Sequence, residues 1–288
     1  MIKEIKNELL TLLSSKLSVS DSLTNINMVN GGSICDAFSF QYAGRNFFCK
    51  THADVPEDLF FIEYKSLEYL KGRSSYYIPE LVGLGKSNGF IFLCMEFLTV
   101  SPEPAFWAEA GAALADLHKN SNKQFGFDYS NYMGSVRQSN TWTEKFPVFY
   151  INNRLIPMVK ICYDEGLLGK IALNKFDRFY RELDSIIPEE NASLIHGDFW
   201  MGNLLFTDRG VALIDPSVSY SHREVDLAMS KLFGGFNDDF YRSYNEKFPL
   251  EKDWESRVNW YNLYPLLIHL HLFGESYKSK IEKIIADF

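Results

Sequence analysis

Cysteine is scarce in this 288-residue chain, with only Cys35, Cys49, Cys94 and Cys162, and none sits at a CxxC spacing. That pattern argues against a disulfide framework or a zinc knuckle and reads as reduced thiols in a cytoplasmic protein. Glycine and proline are also few, 18 and 10, so collagen-like and low-complexity architectures are excluded. No run of Lys or Arg tracks along the chain, and 37 acids outnumber 29 bases for a net charge of −8. Non-specific nucleic-acid binding has no electrostatic footing here, and an anionic ligand needs a local basic site or a metal. No apolar run approaches the roughly 18 residues of a membrane span, and the N-terminal stretch mixes charge with Ile and Leu, unlike a signal peptide. What the chain does have is aromatic content, 16%, in a composition that is 46% hydrophobic. Such a chain can bury a large core, so disorder is excluded as its general state.

Periodicity places the elements. Ile2, Ile5, Leu9, Leu12 and Leu13 recur at helical spacing. Residues 34–51 read as a β-hairpin turning at Ala43-Gly44-Arg45, with Phe38, Phe40 and Tyr42 alternating. A helix follows over 59–71, and residues 79–85 and 90–97 form two more strands around a turn at 86–89. The order helix, hairpin, helix, hairpin predicts a small antiparallel α+β lobe spanning 1–98. Thr99 to Pro104 reads as a linker. The second lobe, 99–288, is expected to be mainly helical, with helices over 105–119, 176–186 and 254–273 and short strands at 194–196, 204–206 and 211–214.

The chemistry concentrates late in the chain. An apolar run leads into His196-Gly197-Asp198, Asn203 follows five residues on, and Asp215 ends another apolar run twelve residues later. A lone His-Gly-Asp is usually a turn, and a lone Ile-Asp-Pro usually a strand end. In this order and spacing they supply what phosphoryl transfer needs. Asp198 is positioned to orient a hydroxyl and take its proton, and Asn203 with Asp215 offers hard oxygen ligands for Mg²⁺.

The arrangement His-Gly-Asp-x4-Asn followed by Ile-Asp-Pro resembles the aminoglycoside and choline phosphotransferases, relatives of the protein kinases. The finer string His196-Gly-Asp-Phe-Trp200-x-Gly-Asn203, then Asp215-Pro, Tyr220-x-His-Arg-Glu-x-Asp226 and Leu232-Phe-Gly-Gly-Phe236, is similar to the fructosamine kinase (ketosamine-3-kinase) family over nearly the whole chain. The resemblance implies a two-lobed kinase-like fold with ATP in its cleft and further parts upstream. Lys50 would contact the nucleotide phosphates, Glu63 would pair with it, and Gly31, Gly32 and Ser33 would open a phosphate-covering loop. Glu96, Phe97 and Leu98 would form the hinge that reads adenine through its backbone.

Trp200 would face the sugar, Asp226 would anchor the catalytic loop, and Arg223 would either do the same or meet a substrate group. The implied reaction is ATP-dependent phosphorylation of a ketosamine, free or on a glycated protein, at its 3-hydroxyl, in deglycation repair. Other small-molecule kinases of the aminoglycoside, choline or homoserine type, and a nucleotide-binding pseudokinase scaffold, are the alternatives. Phe199-Trp200 and the intact set of Lys50, Glu63, Asp198, Asn203 and Asp215 stand against them. His269 and His271 lie two apart on an expected helix and make a poor metal pair. His118 is expected to pack or cap, and Cys35 to be an inert thiol.

Overall fold

A computed structural model describes residues 1–29, 35–101 and 106–288. The chain forms two compact units, Met1–Gly72 with Tyr76–Ala105 and Leu205–Asp215, and Arg73–Ser75 with Phe106–Leu204 and Pro216–Phe288. A single cut after residue 98 therefore does not describe the division. Residues 205–215, expected in the second lobe, belong to the first unit because their backbone pairs there. Tyr77 donates its N–H to Val211 O and accepts at its own carbonyl from Leu213 N–H. Ser101 N–H reaches Phe206 O, and Val100 bridges Thr207. Residues 100 and 101 are thus tied to this hairpin rather than forming a free linker.

The first unit is a five-stranded antiparallel sheet in the order β1-β2-β3-β5-β4. Its elements are α1 (Ile2–Leu17), β1 (Thr24–Met28), β2 (Asp36–Tyr42), β3 (Arg45–His52), α2 (Leu59–Leu70), β4 (Leu81–Ser87) and β5 (Phe90–Glu96). Strand β1, exposed along its whole length, carries no alternation, which is why periodicity did not predict it. Both hairpins turn on two residues at positive φ, Ala43-Gly44 (49° and 73°) and Asn88-Gly89 (49° and 82°). That geometry matches the natural strand twist.

Along β3, Phe47, Cys49 and Thr51 are buried, while Phe48, Lys50 and His52 alternate with them. Phe47 and Cys49 join Ile5, Leu9 and Leu13 of α1 and Phe38, Phe40, Tyr42 and Phe92 in one apolar core. Because successive strand side chains point to opposite faces, this burial sends Lys50 to the other face of the sheet.

The second unit is mainly helical. A core in it gathers Phe146, Phe149, Tyr150, Phe176, Phe179, Leu183, Tyr261 and Leu266 from helices far apart in sequence. Helix α3 (Trp107–His118) packs on the helix Asp238–Lys247. The continuous helix expected over 254–273 is two helices, Trp254–Tyr261 and Leu263–Phe273. Asn262 stands at the break and donates its side-chain amide to Ala228 O. A small three-stranded sheet joins Ser219–Ser221, Ala192–Ile195 and Ser121–Asn122. Its central strand delivers the chain to His196.

Candidate active site

In the first unit the other face of β3 is where charge collects. Lys50 Nζ donates to Glu63 Oε1 of α2 at 2.8 Å and to Asp215 Oδ1. Burial by itself would lower the Lys50 pKa, but the charges of Asp215 and Glu63 more than offset it, so the ammonium is held above its ordinary range. Burial raises the Glu63 carboxyl, with Lys50 pulling the other way. Asp215 takes a left-handed backbone, φ 56°, immediately before Pro216. A residue preceding proline is normally extended, so the tertiary structure holds this carboxylate in a costly conformation.

Glu96 is held through its side chain. Its carboxylate accepts from Tyr77 OH, from Glu80 N–H at 2.7 Å and from Arg209 at 3.0 Å. The ion pair with Arg209 ties the late hairpin to the sheet. The backbone N–H groups of Glu96 and Phe97 are already donated, to Glu80 O and Asn46 O. Those two amides are therefore committed within the sheet. Gly31, Gly32 and Ser33 lie outside the described residues. Just beyond them, burial pushes the Cys35 thiol up to about 11, with Lys50 opposing, which fits an inert thiol.

In the second unit the loop after Ile195 is gripped by one carboxylate. Asp226 Oδ2 accepts from His196 N–H at 2.7 Å and Oδ1 from Gly197 N–H at 2.9 Å. Asp226 and His118 are both fully buried, and His118 Nε2 meets Asp226 Oδ2 at 3.2 Å while Nδ1 meets Tyr244 OH at 2.8 Å. Burial lowers the His118 pKa. A neutral ring that donates from Nε2 and accepts at Nδ1 satisfies both contacts. Gly197 has no substitute here: its φ is +84°, and a Cβ would come 2.1 Å from Ser217 O.

Held this way, the loop brings Asp198 and Asn203 together. Asn203 Nδ2 donates to Asp198 O at 2.9 Å and Oδ2 at 3.0 Å, which leaves Asn203 Oδ1 for another partner. Trp200 folds its ring over Gly202, where a Cβ would lie 2.3 Å from the indole, and meets Phe233 edge-on at 5.8 Å. Phe199, buried, packs on Phe236 at 5.5 Å and Phe240 at 5.9 Å. Phe233 and Phe236 of the Leu232–Phe236 string thus bed the loop that carries Asp198.

Arg223 is not brought to this loop. It is buried; Nε and Nη2 form a bidentate pair with Glu190, Nη1 and Nη2 reach Phe248 O and Pro249 O, and the guanidinium stacks on Phe248 at 3.9 Å. Its donors are engaged in holding chain segments. His269 and His271 go to Pro265 O and Glu165 respectively, so they do not converge on one ion.

Sequence reasoning missed Tyr244, Glu190 and the buried ion pair of Glu224 with Arg257. No local pattern marks any of them. Aromatic and charged residues on amphipathic helices look alike whether their partner is solvent or a residue 30 or more positions away.

The fold is that of the small-molecule phosphotransferases. An aminoglycoside phosphotransferase structure, only 15% identical, aligns over 97% of this chain and 98% of its own with a TM-score of 0.61, a likeness of fold alone. The fructosamine kinase family model matches residues 4–288, and the chain belongs to that family. Membership makes it an enzyme of the phosphotransferase class. Among relatives, a probable ketoamine kinase of Enterococcus faecium is 35% identical over 263 residues, covering 90% of this chain and 94% of the relative. The chloroplastic protein-ribulosamine 3-kinase of Arabidopsis thaliana is 32% identical, covering 92% and 83%. A solved structure of a candidate fructosamine-3-kinase from Thermobifida fusca, 28% identical, covers 97% of this chain and 98% of its own, with a TM-score of 0.86. Among the described residues no helix is long and apolar enough to cross a membrane.

Proposed function

We propose that this protein transfers the γ-phosphoryl group of ATP to the 3-hydroxyl of a ketosamine, acting in the cytoplasm to reverse sugar adducts on amines. The observation that carries this reading is the Asp198–Asn203 pair on a loop clamped through its backbone by Asp226, in a chain that matches the fructosamine kinase family from end to end. The relatives bear the names probable ketoamine kinase and protein-ribulosamine 3-kinase, which supports the substrate class.

Asp198 orients the acceptor hydroxyl and takes its proton as the O–P bond forms and the bond to ADP breaks. The transition state of phosphoryl transfer is loose, so the nucleophile need not be deprotonated early and an ordinary carboxylate suffices. Lys50 is the cation for the nucleotide phosphates, and Glu63 restrains it. The donor set fits Mg²⁺: Asn203 offers Oδ1, because its Nδ2 is committed to Asp198, and Asp215 keeps a carboxylate oxygen beyond the one facing Lys50. When bound, the ion neutralises charge on the phosphates, which an acidic protein of net charge −8 requires. The indole of Trp200 offers an apolar face for the sugar carbons.

The deciding experiment is ADP release with Mg-ATP across ketosamines, aminoglycosides and choline. Ketosamines turn over far better than the rest. Phosphorylation of kanamycin or choline with none of any ketosamine overturns the reading.

A further inference from the structure

The second unit carries a cationic pocket that the catalytic loop does not use. A pocket of about 280 Å³ is lined by Ser130, Arg137, Ser139, Asn153, Arg154 and Tyr264, among others. Its size lies near the lower bound, about 300 Å³, of small-molecule sites. Arg154 is only 6% exposed, yet among the described residues no carboxylate lies within ion-pair distance of it. Every other buried Arg has one: Arg223 pairs with Glu190 and Arg257 with Glu224.

Arg154 is held instead by neutral groups. Nη1 donates to Ser139 O and Asn153 O, Nη2 to Asn140 Oδ1, and the guanidinium faces Phe149 at 4.6 Å and Tyr264 at 5.5 Å. Of its five N–H groups, Nε–H and one on Nη2 remain, the side-on fork that grips an oxyanion with two parallel bonds. Burying a guanidinium without a counter-charge is costly, and an anionic ligand at its free N–H groups would offset that cost. The backbone here is also irregular. Residues Ile151–Leu155 form a π-helix, a wide turn that recurs at functional sites and that sets Asn153 and Arg154 on the pocket wall. Arg154 and Tyr264 also line a second, small cavity of about 20 Å³ whose wall includes Gly197.

We propose that this pocket is an oxyanion subsite with Arg154 as its cation, and that its ligand is a carboxylate on the amine portion of the acceptor, as in ketosamines formed on amino acids. The proposal rests on the ketosamine reading above and narrows its substrate class.

The test uses adducts of glycine, γ-aminobutyrate and lysine (linked through Nε), each as the free carboxylate and as the amide. Binding is measured by calorimetry and turnover by ADP release. At one linker length or more, the carboxylate binds about tenfold tighter than its amide, the scale of one charge-assisted bidentate contact. In Arg154→Gln that ratio falls to about one. If this variant does not fold, Arg154→Lys, which keeps the cation but loses the fork, shows a reduced ratio. Equal binding of carboxylate and amide at every length overturns the proposal, as does a preference that survives in Arg154→Gln. A failure of every ketosamine to yield ADP would defeat the functional reading instead, while the binding ratio would still report on the pocket.

Discussion

The two units hold their reactive groups by different physics. In the first, Lys50 is aimed by strand register and fixed by charge, between Glu63 and Asp215. In the second, Asp198 is aimed by its backbone, whose preceding amides end on the buried Asp226, over a bed of aromatic rings. A side-chain ion pair can be lost with its strand intact. A backbone clamp cannot, because releasing it leaves two buried N–H groups without acceptors. Changes at the first site should therefore act on nucleotide affinity, and changes at the second on both stability and turnover.

The largest expected effect is chemical. Asp198→Asn keeps the shape of the loop but removes the proton acceptor, and turnover falls by about 10² or more while ATP affinity stays near that of the parent. Steady-state kinetics beside nucleotide calorimetry checks it, and near-normal turnover would take Asp198 out of its role.

Asp226→Asn strikes the clamp. An amide in place of the carboxylate can accept only one of the two backbone bonds and sets N–H against N–H at the other. Stability drops by about 2–3 kcal/mol, and turnover falls with it. Urea unfolding measures the first quantity. An unchanged midpoint would mean the loop is held by its aromatic bed alone.

Lys50→Met sharpens the contrast. It raises KM for ATP by about tenfold or more through loss of a charge-assisted contact, with a smaller change in unfolding free energy than Asp226→Asn. The reverse ranking of the two variants in stability would collapse the distinction drawn above.

Trp200→Ala raises KM for the ketosamine by roughly tenfold, the value of about 1.4 kcal/mol of lost ring contact, and leaves KM for ATP unaltered. Kinetics with both substrates varied in turn separates the two.

The last comparison is a pH slope set by buried histidines of the second unit. Burial lowers the His222 pKa to about 4, from 6.5. Between those values the unfolded chain binds a proton that the folded one does not, so stability falls as pH drops from 6.5 toward 4, by up to about 1.4 kcal/mol per pH unit. His118 is lowered in the same sense and adds to the slope. His222→Phe, which preserves the stacking on Tyr261, removes its share, and denaturant unfolding at several pH values reads the difference. An identical acid limb in the variant would show that His222 does not titrate as described.

Legibility followed the range of the information. Lys50 opposite the α1 core is a consequence of period-two alternation, and the closeness of Asp198 and Asn203 follows from a five-residue spacing that one tight turn can close. Glu63 was reached through family resemblance and lands on Lys50 Nζ at 2.8 Å. The role of Arg223 stayed open in the sequence because an Arg near this motif offers the same local pattern whether its fork meets a ligand or Glu190, 33 residues away. Glu96 was assigned by position alone, and its carboxylate turned out to be held by Arg209, 113 residues on.

By itself, then, the sequence determined four of the five strands of the antiparallel sheet and their turns, the aromatic core, the phosphotransferase motif and the family. These rest on periodicity and short spacings, which the chain's own geometry translates directly into position. Only the tertiary structure decided that residues 205–215 join the first unit, that Asp226 and His118 clamp the loop carrying Asp198, and that Arg154 is buried with no counter-charge among the described residues. Each depends on which groups meet after long loops have closed, and on whether desolvation leaves them satisfied. Burial and pairing across such distances are properties of the packed chain, not of any stretch of it.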